Sequence, residues 1–430
     1  MEVETESRQL LPDDLVLEIV VRLATIASVI CCAATCKPIR RGILHEPFLR
    51  RFLARNNGGH GAHGSFIPSL LLGLYHQAED PHRPPAFAPA ADGASYPASV
   101  AALPTAPNHD NAGDDDACHF GPYRPVASRR SLLVLRRRCK IGASPRRNDH
   151  LVERHGGIYP VELSVCNPTT GERFVLPPHD VRDDSHVLLD VNPLAPSAFK
   201  LLVAQLSLDS PKTLYVQIFS SEDGEWGRAM ACPTPRSCEF LETGIPRPVV
   251  LGGTVHWLCS TAMGNCILTW RWRGDGGEPV PHATSLAELP EPYMMLQTDM
   301  CLAVQPSTTG GDAAGPRALL SLIVLDRGEV RVWVRESTGW ECRRRIQETG
   351  VARPMDFGNE WLRGAELAWF CEGSGTVFLR PGDGTPLLLD LDGMAVRKLK
   401  ATSWDLHQER EFCPYEVDLT SYMLFVMKRF

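Results

Sequence analysis

Residues 214–228, LYVQIFSSEDGEWGR, are echoed by residues 330–344, VRVWVRESTGWECRR, and this repeat decides the predicted fold. In both segments an alternating run is followed by a turn and then by a tryptophan, Trp226 or Trp340. A glycine-led apolar run comes next in each case, GGTVHWL at 252–258 and GSGTVFLR at 373–380. Because strand, turn, Trp and second strand recur in one order, the pattern predicts small sheets repeated around an axis.

The same pattern of short strands and turns extends over the chain from about residue 120. Short β-branched and aromatic runs alternate with turn residues, and the last of them, SYMLFVMKRF at 421–430, is predicted to be a strand. No helical pattern of 10 to 15 residues intervenes, which disfavours parallel βαβ folds. About 310 residues of short strands fit a β-propeller better than a sandwich. The sequence leaves the number of blades open between six, seven and eight.

A small helical unit is predicted ahead of this region, over residues 10–57. Pro12 suits the first turn of a helix over 11–23, and Asp13 and Asp14 favour its dipole. This helix carries an apolar stripe at i, i+4 and i+8, formed by Leu15, Ile19 and Leu23 with Val16 and Val20 beside it.

Further short helices complete the unit. Ser28 is expected to cap the second helix. A later amphipathic turn places Phe48, Leu49, Phe52 and Leu53 on one side. So small a unit has little core of its own, and we expect its remaining apolar surface to be covered by a partner protein.

The predicted fold class is therefore α+β multidomain, with a small N-terminal three-helix unit followed by an all-β, kelch-like propeller. Residues 1–9 are expected to be a disordered tail. Residues 58–118 are rich in Gly, Pro and Ala and predict loops or a linker, with a first strand at 66–77. The propeller itself is assigned to residues 119–430.

Composition narrows the class of function. The chain has 430 residues and a formal net charge of −7, which argues against nucleic-acid partners and anionic membranes. The start, MEVETESRQ, is unlike a signal peptide, so a cytoplasmic or nuclear location is expected. Fourteen cysteines without a C-x-x-C pair predict free, mostly buried thiols rather than disulfides or zinc.

No catalytic, cofactor or metal motif stands out. There is no G-x-S-x-G elbow and no phosphate-binding glycine loop, and GSGT at 373–376 is better explained as a turn before a strand. His60, His63, His76 and His82 and the run DDDACH at 114–119 are expected to be solvated loop residues rather than ligands. We therefore expect a protein that is not an enzyme and holds no cofactor.

Two other features have structural and functional interpretations. The basic stretch 129–147 could be a nuclear-import signal or contact an acidic partner, but a buried strand whose exposed arginines blunt a sheet edge is preferred. Five tryptophans are expected to pack between blades, although some could line a binding face: Trp226, Trp257, Trp333, Trp340 and Trp369.

The segment 11–39 resembles the F-box motif. The matching positions are Leu11, Pro12, Leu15, Ile19, Arg22 and Leu23, then Ser28 and Val29, then Thr35, Cys36 and Lys37. Ala24 and Ile39 stand where the motif usually has Pro and Trp. VCNPTTGERFVLPP at 165–178 is similar to a signature of the β-propeller-like domains that accompany the F-box in plant proteins.

This resemblance implies a substrate receptor of a Skp–cullin–F-box ubiquitin ligase. The helical unit would dock on a Skp-type adaptor, and through it on a cullin–RING ligase, while the propeller would hold an unknown target protein. The residues expected to contact or support the adaptor are Leu11, Pro12, Leu15, Ile19, Leu23, Val29, Cys36 and Ile39. Two alternatives stay open: a propeller lectin or hydrolase with a degenerate F-box, and an F-box scaffold outside any ligase.

Overall fold

The fold was analysed in a computed structural model of the chain. It describes residues 12–23, 26–56, 66–77, 85–90, 98–101, 103, 119–120, 123–140, 161–182, 184–192, 195–207, 212–235, 238–241, 247–272, 284–290, 293, 299–306, 318–347, 350–351, 362, 364–381, 386–399 and 412–427.

Four helices form the N-terminal unit: α1 (Asp13–Val20), α2 (Ile26–Thr35), α3 (Lys37–Ile43) and α4 (Glu46–Asn56). Pro12 precedes α1, and Asp13 and Asp14 lie in its first turn, as predicted. The helix is shorter than the predicted 11–23, because residues 21–22 form a turn. Helix α2 begins at Ile26, so Ser28 lies inside it and does not cap it, contrary to the prediction.

The β region forms six sheets whose strand pairs are all antiparallel, and these are the blades of a six-blade β-propeller. Blade one contains β3 (His119–Phe120), β4 (Arg124–Arg129), β5 (Leu132–Lys140), β6 (Val161–Asn167) and β7 (Glu172–Val175). Blade two contains β8 (Ser185–Asn192), β9 (Ala195–Leu206), β10 (Thr213–Ser220), β11 (Glu225–Trp226) and β12 (Met230–Pro233). Blade three contains β13 (Cys238–Phe240), β14 (Val249–Leu251), β15 (Thr254–Thr261), β16 (Gly264–Arg271) and β17 (Thr284–Glu288).

Blades four and five are simple four-stranded meanders. They contain β18 (Asp299–Pro306), β19 (Ala318–Asp326), β20 (Glu329–Glu336) and β21 (Gly339–Gln347), and then β22 (Glu366–Phe370), β23 (Thr376–Arg380), β24 (Leu387–Asp390) and β25 (Ala395–Lys398). Their cores are mostly aliphatic, and central strands such as β19 and β23 bury nearly every residue because both faces of the blade are covered.

The sixth blade joins distant parts of the chain. Its strands are β1 (Leu71–His76), β2 (Ala86–Pro89) and β26 (Phe412–Glu416), with β1 hydrogen-bonded to both of the others. Strand β1 lies within residues 66–77, where a first strand was predicted, and it starts after a short 3-10 turn, Pro68–Leu70. Since β1 and β2 belong to a blade, the propeller includes strands ahead of residue 119. A short helix, α5 (Ala98–Ala101), follows β2.

Buried hydrogen bonds tie this closing blade to the first one. The turn between β4 and β5 has positive φ at Arg130 and Ser131, which brings Ser131 against the end of β26. Ser131 donates from its hydroxyl to Asp418 Oδ2 (2.6 Å), and its N–H donates to the Glu416 carbonyl oxygen (2.9 Å). Tyr415 donates to the Ser131 carbonyl oxygen (3.0 Å). The two blades that begin and end the ring are therefore fixed to each other.

The sequence repeat has a shared structural role. Trp226 Nε1 donates to the carbonyl oxygen of Pro177 (2.7 Å), just beyond the outermost strand of the preceding blade. Trp340 Nε1 donates to the carbonyl oxygen of Glu288 (2.9 Å), which ends the outermost strand of its own preceding blade. Trp257 also bonds across blades, to Ser185 (3.0 Å). The predicted packing of tryptophans between blades is confirmed for these three.

The strand predicted from residue 421 onward is wrong. The run predicted as a strand from 421 is helix α6 (Leu419–Met427). Asp418 favours the helix because it accepts from the N–H and the hydroxyl of Ser421, three residues ahead, as an N-cap does. Leu419, Met423 and Met427 recur every four residues and are buried on the N-terminal helices.

The interpretation of the basic stretch is also wrong in part. Strand β5 is buried as predicted, but it lies between β4 and β6 and is no sheet edge. Two arginines of the stretch act inside the protein. Arg129, the last residue of β4, donates to the carbonyl oxygens of Leu188 and Leu189 (2.9 and 3.0 Å), and Arg136 of β5 is buried. Residues 141–147 lie outside the described part.

Asp418 should be the most sensitive residue of this closure. Asp418→Ala removes the N-cap of α6 and the bond from Ser131 together, so we expect the free energy of unfolding to fall by roughly 2–4 kcal/mol. Denaturant unfolding followed by tryptophan fluorescence measures the loss. Asp223→Ala, at an exposed turn of blade two, is the matched control. A loss no larger than that of the control would contradict the role given to Asp418.

Cysteine reactivity should follow burial. Cys31 and Cys36 are exposed on the helical unit, whereas most other described cysteines are buried, and burial raises the pKa of Cys301 to about 12. The pKa of Cys371 is raised well above its ordinary value for the same reason. Iodoacetamide labelling with peptide mapping should therefore modify Cys31 and Cys36 first and reach Cys371 only in denaturant. Equal native rates for Cys36 and Cys371 would refute this assignment.

Candidate functional site

The helical unit has a core that it shares with the propeller. Val20, Val29, Ile39, Ile43 and Phe52 are buried together, and helix α6 adds its own buried side chains to the same cluster. The unit therefore completes part of its core within the same chain, and completion of the rest by another protein stays a prediction. The chain's own C-terminal helix covers one face, and any partner must use a different one.

The predicted adaptor residues divide into two groups. Leu15 and Ile19 leave 51% and 53% of their surface exposed, and they are the exposed large apolar side chains in the described part of this unit. Pro12 and Cys36 are also exposed, and Leu23 is half-buried. Val29 and Ile39 are instead buried inside the unit and can only support a contact surface. Leu11 lies outside the described residues.

Helix α1 presents the two exposed residues because of its periodicity. Leu15 and Ile19 are one turn apart and share a face, while Val20 and the partly buried Val16 point into the core. At residue 42 a Cβ would come within 2.5 Å of Leu17 Cδ1, so glycine there allows α1 and α3 to pack closely.

Ion pairs border this apolar face. Glu18 pairs with Arg22 on the same helix and with Arg51 on α4. The hydrogen bond from Arg51, together with the charge of Arg22, holds the pKa of the Glu18 carboxyl below its ordinary value. Leu15 and Ile19 therefore form an apolar strip beside a charged margin, an arrangement common in protein interfaces.

A second candidate site is the cavity on the propeller axis, with a volume of about 420 Å³. The innermost strand of each blade contributes lining residues, including Val126, Val187, Val249, Leu302, Phe370 and Pro414. Ile67, Leu70 and Leu419 also line it. The cavity is therefore a product of ring closure and belongs to no single blade.

Charged groups lie at different positions around the cavity. Glu416 accepts from the N–H groups of Gly373 (3.0 Å) and Ser374 (2.7 Å), and burial raises the pKa of its carboxyl. The GSGT segment is thus a turn, as predicted, but one that holds a carboxylate beside the cavity. Arg247 lines the cavity next to Trp369. Sequence reasoning missed Arg247, which stands alone between prolines and carries no motif.

The remaining candidate ligands form no metal site in the part of the chain that the structure describes. His76 lies in β1, where its Nδ1 is 3.0 Å from the Gln77 carbonyl oxygen. His60, His63 and His82 lie outside the described residues, as do 114–118. Among the residues that the structure describes, no three His, Cys, Asp or Glu side chains cluster as metal ligands, and no helix is long and apolar enough to cross a membrane.

Comparison with solved structures yields a distant match. An acylaminoacyl peptidase from Pyrococcus horikoshii, in an orthorhombic crystal form, has 9% identity and a TM-score of 0.24. The match covers 65% of this chain and 52% of the peptidase, so the chain spans about half of that protein's length. At this level of similarity nothing of the peptidase's activity transfers.

No curated protein matches the chain. The profile of the DUF7595 family, described as a domain of unknown function, matches residues 91–430, which contain most of the propeller and helix α6. The match does not reach the helical unit, so the resemblance of 11–39 to the F-box stays a prediction. With more than three quarters of its length matched, the chain belongs to the DUF7595 family.

Proposed function

We propose that this protein is the substrate-recognition subunit of a Skp–cullin–F-box ubiquitin ligase. In this proposal the α1 face docks on a Skp-type adaptor, and the propeller holds a target protein. The subunit performs no bond chemistry and needs no cofactor; it raises the local concentration of target lysines near the ubiquitin-carrying enzyme. It would act in the cytoplasm or the nucleus.

The exposure of Leu15 and Ile19 is the observation that carries the proposal. Large apolar side chains cost free energy in water, about 1.5–3 kcal/mol each relative to full burial. Two of them lie one turn apart on a unit whose core is otherwise shared with α6, and this favours a partner on the α1 face. The F-box resemblance independently assigns the same two residues to the adaptor contact.

The buried members of the motif support the same surface from beneath. Ile39 takes the position where the motif usually has Trp, and it is only 6% exposed. Its contacts therefore lie within the unit, where it packs in one cluster with Val20 and Val29. The smaller side chain at this position is compatible with docking, because α1 carries the exposed contact residues.

The packing of α6 supports a receptor role for the propeller. A receptor must hold its target at a defined position relative to the adaptor. Helix α6 follows β26 after only Val417 and Asp418, and it packs on α2 and α4. The docking face and the blades are thus connected through a short, buried segment.

Charge placed on the α1 face should abolish adaptor binding. Leu15→Asp with Ile19→Asp would force two carboxylates into an apolar interface, and we expect the affinity for a purified Skp-type adaptor to fall at least about a hundredfold. Calorimetry with the full chain measures this. Val175→Asp with Met263→Asp, two exposed apolar residues of the propeller, is the control and should bind normally.

A second measurement tests the ligase role separately. Affinity purification of the full chain from cells with the proteasome blocked should recover the adaptor together with a cullin, and the Asp double variant should recover neither. Adaptor without any cullin would overturn the ligase role and favour a scaffold. Undiminished adaptor binding by the double variant would overturn the proposed docking face.

A further inference from the structure

Arg247 is an unusual group to find on the propeller axis. It immediately precedes β14 with Pro248 and lines the central cavity. Its Nε is buried and has no hydrogen-bond partner, and within the described residues no carboxylate forms an ion pair with it. The side chain as a whole is half-buried, and a charge that loses part of its hydration shell without gaining an anion is costly.

The neighbours of Arg247 are aromatic rings and neutral thiols. The guanidinium carbon lies 4.7 Å from the centre of the Trp369 ring and 5.5 Å from that of Phe412. These contacts orient the group and supply a modest attraction. Burial still lowers the pKa of Arg247 to about 10, and the nearby Arg380 acts in the same direction.

Arg129 provides a contrast within the same cavity wall. It forms an ion pair with Glu372 (3.2 Å) and donates to the carbonyl oxygens of Leu188 and Leu189. Its charge and its hydrogen bonds are therefore used by the fold. In the part of the chain that the structure describes, Arg247 has no such partner, which leaves its N–H groups to a molecule in the cavity.

The cavity also has room for the body of a small molecule whose polar group reaches Arg247. Its volume of about 420 Å³ falls in the range of small-molecule sites, and it is too small for a folded protein segment. The walls are mainly aliphatic, with Val126, Val249, Leu302 and Val304 among them. An occupant would therefore combine an anionic group with an apolar body.

We propose that the central cavity binds a small organic anion, a carboxylate or a phosphate ester with an aromatic or aliphatic body. Arg247 binds the anionic group through its N–H edge, Trp369 and Phe412 hold the guanidinium in place, and the aliphatic wall contacts the body. This site lies on the propeller axis and does not depend on adaptor docking by α1.

Three matched fluorinated probes test the proposal on the unmodified full chain: 4-fluorobenzoate, 4-fluorophenyl phosphate and 4-fluorobenzamide. Fluorine NMR titration should give at least one anion a dissociation constant of about 0.1–2 mM, as expected for a fragment of this size. The neutral amide should bind at least about tenfold more weakly, because it lacks the charge. Comparing the two anions decides between a carboxylate and a phosphate.

Variants then locate the anion. Arg247→Gln keeps a long polar side chain without charge, and it should weaken binding of the preferred anion at least about tenfold. Arg247→Lys should retain part of the affinity. Arg271→Gln, at an exposed position of β16, is the control and should leave binding unchanged.

The proposal fails under any of three results. Binding of the preferred anion no tighter than that of 4-fluorobenzamide by the unmodified chain would show that charge plays no part. Unchanged anion binding by Arg247→Gln would place the anion elsewhere. Absence of binding by both anions up to about 10 mM would exclude the site itself. The comparison of probes on the unmodified chain needs no variant to fold.

Discussion

The closed ring depends on the pairing of strand β26 with β1. In this antiparallel pair His76 lies opposite Phe412, and Leu71 lies opposite Glu416. A propeller without it would have open blade edges, with unpaired backbone groups in β1 and in the first blade. The pairing also holds Tyr415 against Ser131, which joins the closing blade to blade one. Strand pairing in the other five blades is local by comparison, since each blade pairs strands that are consecutive or one strand apart in the chain.

Ring closure also determines the electrostatics of the axis. Six inner strands converge there, so polar groups placed on them lose water together. Glu416 is accommodated by backbone N–H donors and Arg129 by carbonyl oxygens and Glu372. Within the described residues, the contacts that hold the Arg247 guanidinium are the faces of two rings. The fold thus satisfies Glu416 and Arg129 internally, and Arg247 differs from both.

How far the sequence predicts this structure depends on how local each signal is. Hairpins such as β20–β21 were predictable because their residues alternate over a short range, and the role of Trp340 was predictable because the sequence repeats. The exposed pair Leu15 and Ile19 was predictable from the apolar stripe of one helix. Strand β26 was missed because it is short, contains Pro414 and finds its partner β1 more than 300 residues away. The run after it was assigned to a strand because its apolar residues fit either period, and only the Asp418 cap selects a helix. Arg247 acquires its role from blades that are remote in sequence.

The order in which the strands are made has a consequence for the cell. At about 5–20 residues per second, ribosomes would complete β26 some 20–70 s after β1 has emerged. During that interval β1 lacks one of its two neighbours, and the helical unit lacks the side chains of α6. Until β26 and α6 have been made, nascent chains of this protein therefore expose one unpaired edge of β1 and an uncovered face of the helical core at the same time, which are the kinds of surface that chaperones protect.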